Sequence, residues 1–202
     1  LRTPLNSILI LGQQLSENPE GNLSGKQVEF ARTIHGAGTD LLNLINDILD
    51  LSKIESGTVS VEAEEIFFSN LLDMIARPFR HEADNRGLAF EVRSATDLER
   101  GMITDSKRLQ QVLKNLLSNA FKFTQNGGIK LSVLPVTSGW NPDHPILTHA
   151  PSVVAFEVSD TGIGIPEASR GRIFERFYRA DPSRGVGDGL HAGLGLAIVR
   201  EY

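Results

Sequence analysis

The sequence predicts an α+β chain, in which a helical hairpin forming a dimeric four-helix bundle precedes an α/β sandwich. Three observations carry this expectation. Over the first 57 positions apolar residues recur at mixed three- and four-residue spacing, the period of amphipathic helices. Beyond residue 58 that rhythm gives way to short β-rich runs mixed with helical stretches. Finally, two helices with one apolar stripe each cannot enclose a core, and pairing with a second hairpin is the simplest way to cover both stripes. The expected domains are therefore 1–57 and 58–202.

The first helix is LRTPLNSILILGQQL, with Leu5, Ile8, Leu11 and Leu15 in helical rhythm as far as about Glu17. Pro4 is tolerated because a first-turn residue has no intrahelical N–H bond to lose. Asn18, Pro19, Glu20, Gly21 and Asn22 break the helix by composition. A second helix is expected over 24–56, carrying Val28, Ala31, Ile34, Leu41, Leu42, Ile45, Ile48, Leu49 and Ile54, with Gly57 as a C-terminal stop. The hairpin could pack on the rest of its own chain; a homodimer is the reading adopted. Strands are expected at 64–68, 88–93, 102–104, 128–135 and 152–159, and helices at 70–86 and 106–123. Without strict βαβ alternation, the helices should lie on one face of the sheet. The stretch TSGWNPDHPILTHAP is Pro-rich, without period and long for a hairpin loop, and Trp140 is read as its packed anchor.

Composition narrows the function. A net charge of −5 and a pI near 5.6 argue against a nucleic-acid surface. No apolar run approaches the roughly 20 residues of a membrane span, and no secretory leader is expected. The absence of Cys rules out disulfides and thiolate metal sites and fits a reducing compartment.

The most informative stretch is DSKRLQQVLKNLLSNAFKFT. At about 100° per residue, Leu109, Val112, Leu113, Leu116, Leu117 and Ala120 share one face, and Asn115, Asn119 and Lys122 another. Asp105 is placed to cap the helix. The polar stripe reads either as a solvated face or as the lining of a pocket. In a pocket, amide oxygens suit the hard cation Mg²⁺ and an ammonium offsets phosphate charge. Two glycine-rich turns favour the pocket. In VVAFEVSDTGIGIP, Asp160 follows a β-rich run and precedes Gly162 and Gly164. A carboxylate there can accept a proton from an exocyclic amine such as that of adenine. In AGLGLAIVREY, Gly193 and Gly195 open an apolar helix whose N-terminus attracts phosphate. Between them, RIFERFYRADPSRGVGDGLH sets Phe174 and Phe177 before a glycine-rich segment, the pattern of a lid over a ligand.

Together these motifs resemble the sensor histidine kinases of two-component signalling over nearly the whole chain. NLLSNAFKFT resembles the asparagine box, DTGIGIP and GLGLAIV the two glycine boxes, and FERFYR the phenylalanine box. The resemblance implies that the hairpin is a dimerization and phosphotransfer domain and the remainder an ATP-binding domain of the gyrase, Hsp90 and MutL type. It implies that Asn119 ligates Mg²⁺ with help from Asn115, and that Lys122 contacts phosphates. Asp160 would hold the adenine amine, with Gly162 and Gly164 allowing close approach and Ile165 and Phe174 lining the nucleotide. Gly193, Leu194 and Gly195 would border the phosphates, and Arg179 would reach the γ-phosphate. Thr3 matches a position that helps orient water for dephosphorylation of the partner, and Pro4 the bend after it.

In the family, LRTP follows directly on His-Glu, and that His accepts the phosphoryl group. The resemblance therefore places the acceptor two positions before Leu1 and closing strands beyond Tyr202. His35, His81, His144, His149 and His191 lack the acceptor's context. His191-Ala192 stands where Gly-x often precedes GLGL, and the 137–151 stretch exceeds the usual hairpin. The implied cofactors are ATP and Mg²⁺. The implied partners are a second copy and a response regulator receiver domain, with no nucleic acid and with membrane contact only through segments outside this chain; the implied location is cytoplasmic. Two other functions compete. A gyrase-type ATP hydrolase would carry a Glu general base where this chain has Asn115, and an amide cannot take a proton from water. A non-catalytic dimeric scaffold has no need of intact asparagine and glycine boxes.

Overall fold

The computed structural model describes residues 2–56, 60–175, 178 and 196. They form two compact units, one holding the hairpin together with the segment from Pro166 onward, the other residues 60–165.

In the first unit α1 (Arg2–Glu17) and α2 (Gly25–Glu55) pack against each other. Asn18 makes the turn between them at φ 44°. Its Oδ1 accepts the Leu23 N–H at 3.1 Å and its Nδ2 donates to the Leu23 carbonyl at 3.3 Å. A capping box starts α2: the Ser24 N–H reaches Gln27 Oε1 at 2.8 Å, and Ser24 Oγ accepts the Gln27 N–H at 3.4 Å. The helices approach closely at glycines. A Cβ on Gly38 would stand 2.9 Å from Leu9 Cδ2, so a larger residue there would push the Leu9 side chain aside.

Leu5 and Ala31 are buried in this seam. Ile8, Leu11, Leu15, Ile34, Leu41 and Ile48 are not, at 41–58% exposed. The expected apolar stripe thus divides into a narrow seam and a second, uncovered face shared by both helices. The Ile54 side chain and Gly57 lie outside the described residues. The segment from Pro166 holds the short helix α5 (Glu167–Arg170), beyond which Tyr178 donates its hydroxyl to Ser169 at 2.9 Å.

The second unit contains β1 (Glu64–Phe67), α3 (Phe68–Arg86), β2 (Ala89–Ser94), β3 (Gly101–Thr104), α4 (Ser106–Phe123), β4 (Gly128–Val136) and β5 (Val153–Asp160). Strand β4 is central, parallel to β2 and antiparallel to β5, while β1 and β3 pair antiparallel in a separate two-stranded sheet. Helix α4 supplies the crossover that a parallel β2–β4 pair requires. Helices α3 and α4 cover one sheet face, and Ile75, Leu113, Leu117, Phe121, Leu131 and Val133 are its most enclosed side chains.

Most elements begin or end within one or two residues of the expected positions, and three differences bear on the core and the site. Phe68 opens α3 instead of closing β1; its N–H, which has no intrahelical acceptor in the first turn, bonds the Arg100 carbonyl at 3.1 Å, and its ring is buried against Phe156. Phe121 joins the buried face of α4, stacked on Phe79 with centroids 5.2 Å apart. Asp160 is the last residue of β5, not the first beyond it. In the 137–151 stretch, a 3-10 turn over Leu147–His149 is tied by His144 Nδ1, which accepts the Leu147 N–H at 3.1 Å. Trp140 is partly buried there.

Candidate functional site

Helix α4 is anchored at its start. Asp105 caps it, with Oδ1 accepting the Arg108 N–H at 3.1 Å. Its Oδ2 accepts the Glu62 N–H at 3.1 Å and lies 3.2 Å from Arg108 Nε. Burial pushes the Asp105 carboxyl upward, but the Arg108 and Glu62 N–H donors and the Arg108 charge outweigh it and hold it below its ordinary value. A cleft of about 140 Å³ at this end is lined by Glu62, Ala63, Glu64, Asp105 and Lys107. Its carboxylates make it a poor host for phosphates, and it lies at the opposite end of α4 from Asn119 and Lys122.

With Leu113, Leu117, Ala120 and Phe121 turned inward, Asn115, Asn119 and Lys122 fall on a partly buried flank. Lys122 Nζ sits 5.5 Å from the Phe123 ring centroid. The Asn119 amide makes no hydrogen bond among the described residues, so its oxygen is available to a hard cation. Among the described residues no group of three or more His, Cys, Asp or Glu converges as an alternative metal site.

Strand alternation places Asp160 on the helix-facing side of β5, in line with Val154, Phe156 and Val158 and directly across from Ile129. A carboxylate at the end of an apolar row stands at the rim of the core, beside the last turn of α4. Its Oδ1 accepts the Gly162 N–H at 2.7 Å and lies 3.5 Å from the Thr124 hydroxyl. Its Oδ2 makes no hydrogen bond among the described residues. Gly162 permits this arrangement, since a Cβ there would stand 2.6 Å from both Asp160 Oδ1 and the Phe123 carbonyl oxygen. Gly164 has φ 70°, which a side chain rarely adopts. Ile163 and Ile165 are 65% and 45% exposed, an apolar surface next to the carboxylate. Thr161 locks the strand end, its hydroxyl donating to the Asn126 carbonyl and accepting the Gly128 N–H, both at 3.0 Å.

The second unit therefore gathers Asn115, Asn119, Lys122, Asp160, Gly162, Gly164 and Ile165 along α4 and the chain leaving β5. Thr3 and Phe174 belong to the other unit. Thr3 is exposed in the first turn of α1, where its carbonyl accepts the Ser7 hydroxyl at 3.2 Å, and Phe174 is 37% exposed. Arg179, Gly193, Leu194 and Gly195, with Phe177 and His191, lie outside the described residues. The fully buried Thr124 was not singled out from sequence, although it closes the quoted motif. A polar residue directly after the last helical position would have been the signal.

Two family models match. Residues 1–57 match the His Kinase A (phospho-acceptor) domain, and residues 104–202 match the histidine kinase-, DNA gyrase B-, and HSP90-like ATPase. The aerobic respiration control sensor protein ArcB of Escherichia coli K12 is 34% identical over 99% of this chain and 24% of its own length. The autoinducer 2 sensor kinase/phosphatase LuxQ of Vibrio vulnificus YJ016 is 36% identical over 99% of this chain and 22% of its own. The chain thus spans about a quarter of these relatives. Among solved structures, full-length ShkA in complex with AMPPNP is similar at a TM-score of 0.71 and 30% identity, covering 99% of this chain and 38% of that one. The Acinetobacter baumannii histidine kinase AdeS shares the fold at 21% identity and a TM-score of 0.61, covering 99% of this chain and 83% of its own. No helix among the described residues is long and apolar enough to cross a membrane.

Proposed function

Because the chain belongs to the sensor histidine kinases of two-component signal transduction, with that family's phospho-acceptor and ATPase domains in order, we propose that it is the cytoplasmic catalytic core of such a kinase. In this reading residues 1–57 are the dimerization and phosphotransfer hairpin and residues 58–202 the ATP-binding domain. The observation that carries it is the pairing of Asp160 with the α4 stripe at one rim of the second unit. A carboxylate with one free oxygen, set among Gly162, Ile163 and Ile165, suits the amine edge and flat faces of adenine. Asn119, Asn115 and Lys122 run along the neighbouring helix flank, where polyphosphate and its cation would lie.

The residues present fit Mg²⁺, since Asn119 and Asn115 offer amide oxygens to a cation that takes oxygen ligands. When bound, it would spread the negative charge of the phosphates. Lys122 adds a positive charge on the same flank, and Arg179 is assigned to the γ-phosphate by its place in the family's motif. Gly193, Leu194 and Gly195 are assigned to the phosphate border on the same ground, and Phe174 to the nucleotide's edge. In this reading the phospho-acceptor is the His that the family carries directly before Glu-Leu-Arg-Thr-Pro: its imidazole nitrogen attacks the γ-phosphorus, and the N–P bond forms as the P–O bond to ADP breaks. The phosphoryl group then passes to an aspartate of a response regulator receiver domain docked near Thr3. The uncovered faces of α1 and α2 support homodimerization. Asn115 in place of a carboxylate base disfavours ATP hydrolysis as the main reaction.

The test is binding followed by labelling. Titration calorimetry of the chain with Mg-ATP should give saturable binding that Asn119→Ala weakens. A version given the family's His-Glu before Leu1 and its closing strands after Tyr202 should gain acid-labile phosphate from labelled ATP, and the same version with Gln for that His should not. Absence of adenine nucleotide binding by the folded chain overturns the proposal.

A further inference from the structure

Arg86 ends α3, and Gly87, at φ 64°, turns the chain away while its N–H bonds back to α3 carbonyls. The Arg86 guanidinium reaches across to α4. One terminal nitrogen, Nη1, donates to the Phe121 carbonyl at 2.8 Å, and Nη2 donates to the Thr124 carbonyl at 2.7 Å. Nη1 also lies 3.1 Å from Glu82 Oε1. The last carbonyls of a helix have no intrahelical donors and mark the negative end of its dipole, so a cationic fork is the matching partner. The stack of Phe79 on Phe121 packs the same two helices together, so the fork spans a short, rigid distance.

The contacts of Arg86 lead to the adenine end of the proposed site. Thr124 takes the Arg86 bond on its carbonyl, is fully buried, and turns its hydroxyl toward Asp160 Oδ1 at 3.5 Å. The neighbouring Phe123 carbonyl closes against Gly162, whose N–H bonds the same Asp160 oxygen at 2.7 Å. We infer that Arg86 is a positioning residue for nucleotide binding: by clamping the C-terminal turn of α4 it sets the Thr124–Asp160–Gly162 contacts and so the direction of the free Asp160 oxygen. It touches no ligand itself. The inference rests on the functional reading above, in which Asp160 receives the adenine amine. Recognition of this kind is sensitive to displacements well under 1 Å, so a fork two residues removed from the ligand controls it.

The experiment measures Mg-ATP affinity of the full chain by calorimetry, with circular dichroism and thermal midpoint for each variant. Arg86→Met should weaken binding about tenfold, Arg86→Lys less. Glu82→Gln, which removes the charge facing the guanidinium but neither carbonyl bond, should leave affinity unchanged. Arg86→Met combined with Asp160→Asn should bind no worse than Asp160→Asn alone, because both act through one contact; a merely structural Arg86 would give losses that add. Thr124→Val, which removes only the hydroxyl, supplies the second test if Arg86→Met does not fold, with recovery in Thr124→Ser. Wild-type affinity in folded Arg86→Met, wild-type affinity in Thr124→Val, or full additivity each overturns the inference. Failure of the unmodified chain to bind any adenine nucleotide would instead remove the functional reading on which it stands.

Discussion

Replacing Asp160 with Asn isolates one hydrogen bond. Asn is isosteric, so its side-chain oxygen can keep the Gly162 N–H, held at 2.7 Å by Asp160, and stay beside the Thr124 hydroxyl. The change falls on the other branch, where Oδ2 makes no hydrogen bond among the described residues and is the acceptor offered to a ligand. The amide puts a donor there, facing the donor of an adenine amine. A hydrogen bond to a charged group contributes about 1.5–3 kcal/mol. At about 1.4 kcal/mol per decade, the loss is about tenfold to about a hundredfold in Kd. Mg-ATP titration calorimetry should register that drop while circular dichroism and the thermal midpoint stay near those of the parent. A folded Asp160→Asn protein with unchanged affinity would refute the assignment of Asp160 to the base. Weakening accompanied by a large loss of stability would instead mean that the carboxylate matters for the fold.

Three further outcomes are expected. Asp105→Ala removes the cap of α4 and the tether to Glu62, so it should cost at least about 1 kcal/mol in denaturant unfolding. Since the folded-state pKa of Asp105 lies below its ordinary value, its stabilising contribution should be complete above the unfolded pKa near 3.8 and decline as pH falls through the folded one; a pH-independent difference between parent and variant below pH 5 would contradict this. Leu41→Asp puts a charge on the uncovered apolar face and should shift sedimentation from dimer to monomer, each buried Leu contributing roughly 1.5–3 kcal/mol; an unchanged monomeric parent would count against the bundle. In a protein extended through the preceding His, Thr3→Ala should slow regulator dephosphorylation and spare histidine labelling, whereas joint loss with reduced helicity would make Thr3 structural.

The sequence alone determined the hairpin, the order of strands and helices to within a few residues, and the motifs that carry the family. Each of these is encoded locally, in periodicity, in Asn18 and Gly21 at the turn, in Asp105 before α4, and in glycines beside a carboxylate. It could not decide which apolar residues of the hairpin meet each other. Ile8 and Leu5 lie on the same first helix, yet only the crossing at Gly38 reveals that Leu5 faces the seam and Ile8 the open side. Helical spacing is compatible with Phe121 on the buried face, four residues after Leu117, but its stacking partner Phe79 comes from α3 and only the tertiary fold supplies it. The site shows the same division. Asp160 and the α4 stripe were legible because neighbours in sequence constrain them, whereas Thr124 and Arg86 join the site through contacts 36 and 38 residues apart in the chain. Such contacts exist only once α3, α4 and β5 have packed, because the donors and acceptors involved are left over from helix and strand ends and find partners in whatever element the tertiary fold brings alongside.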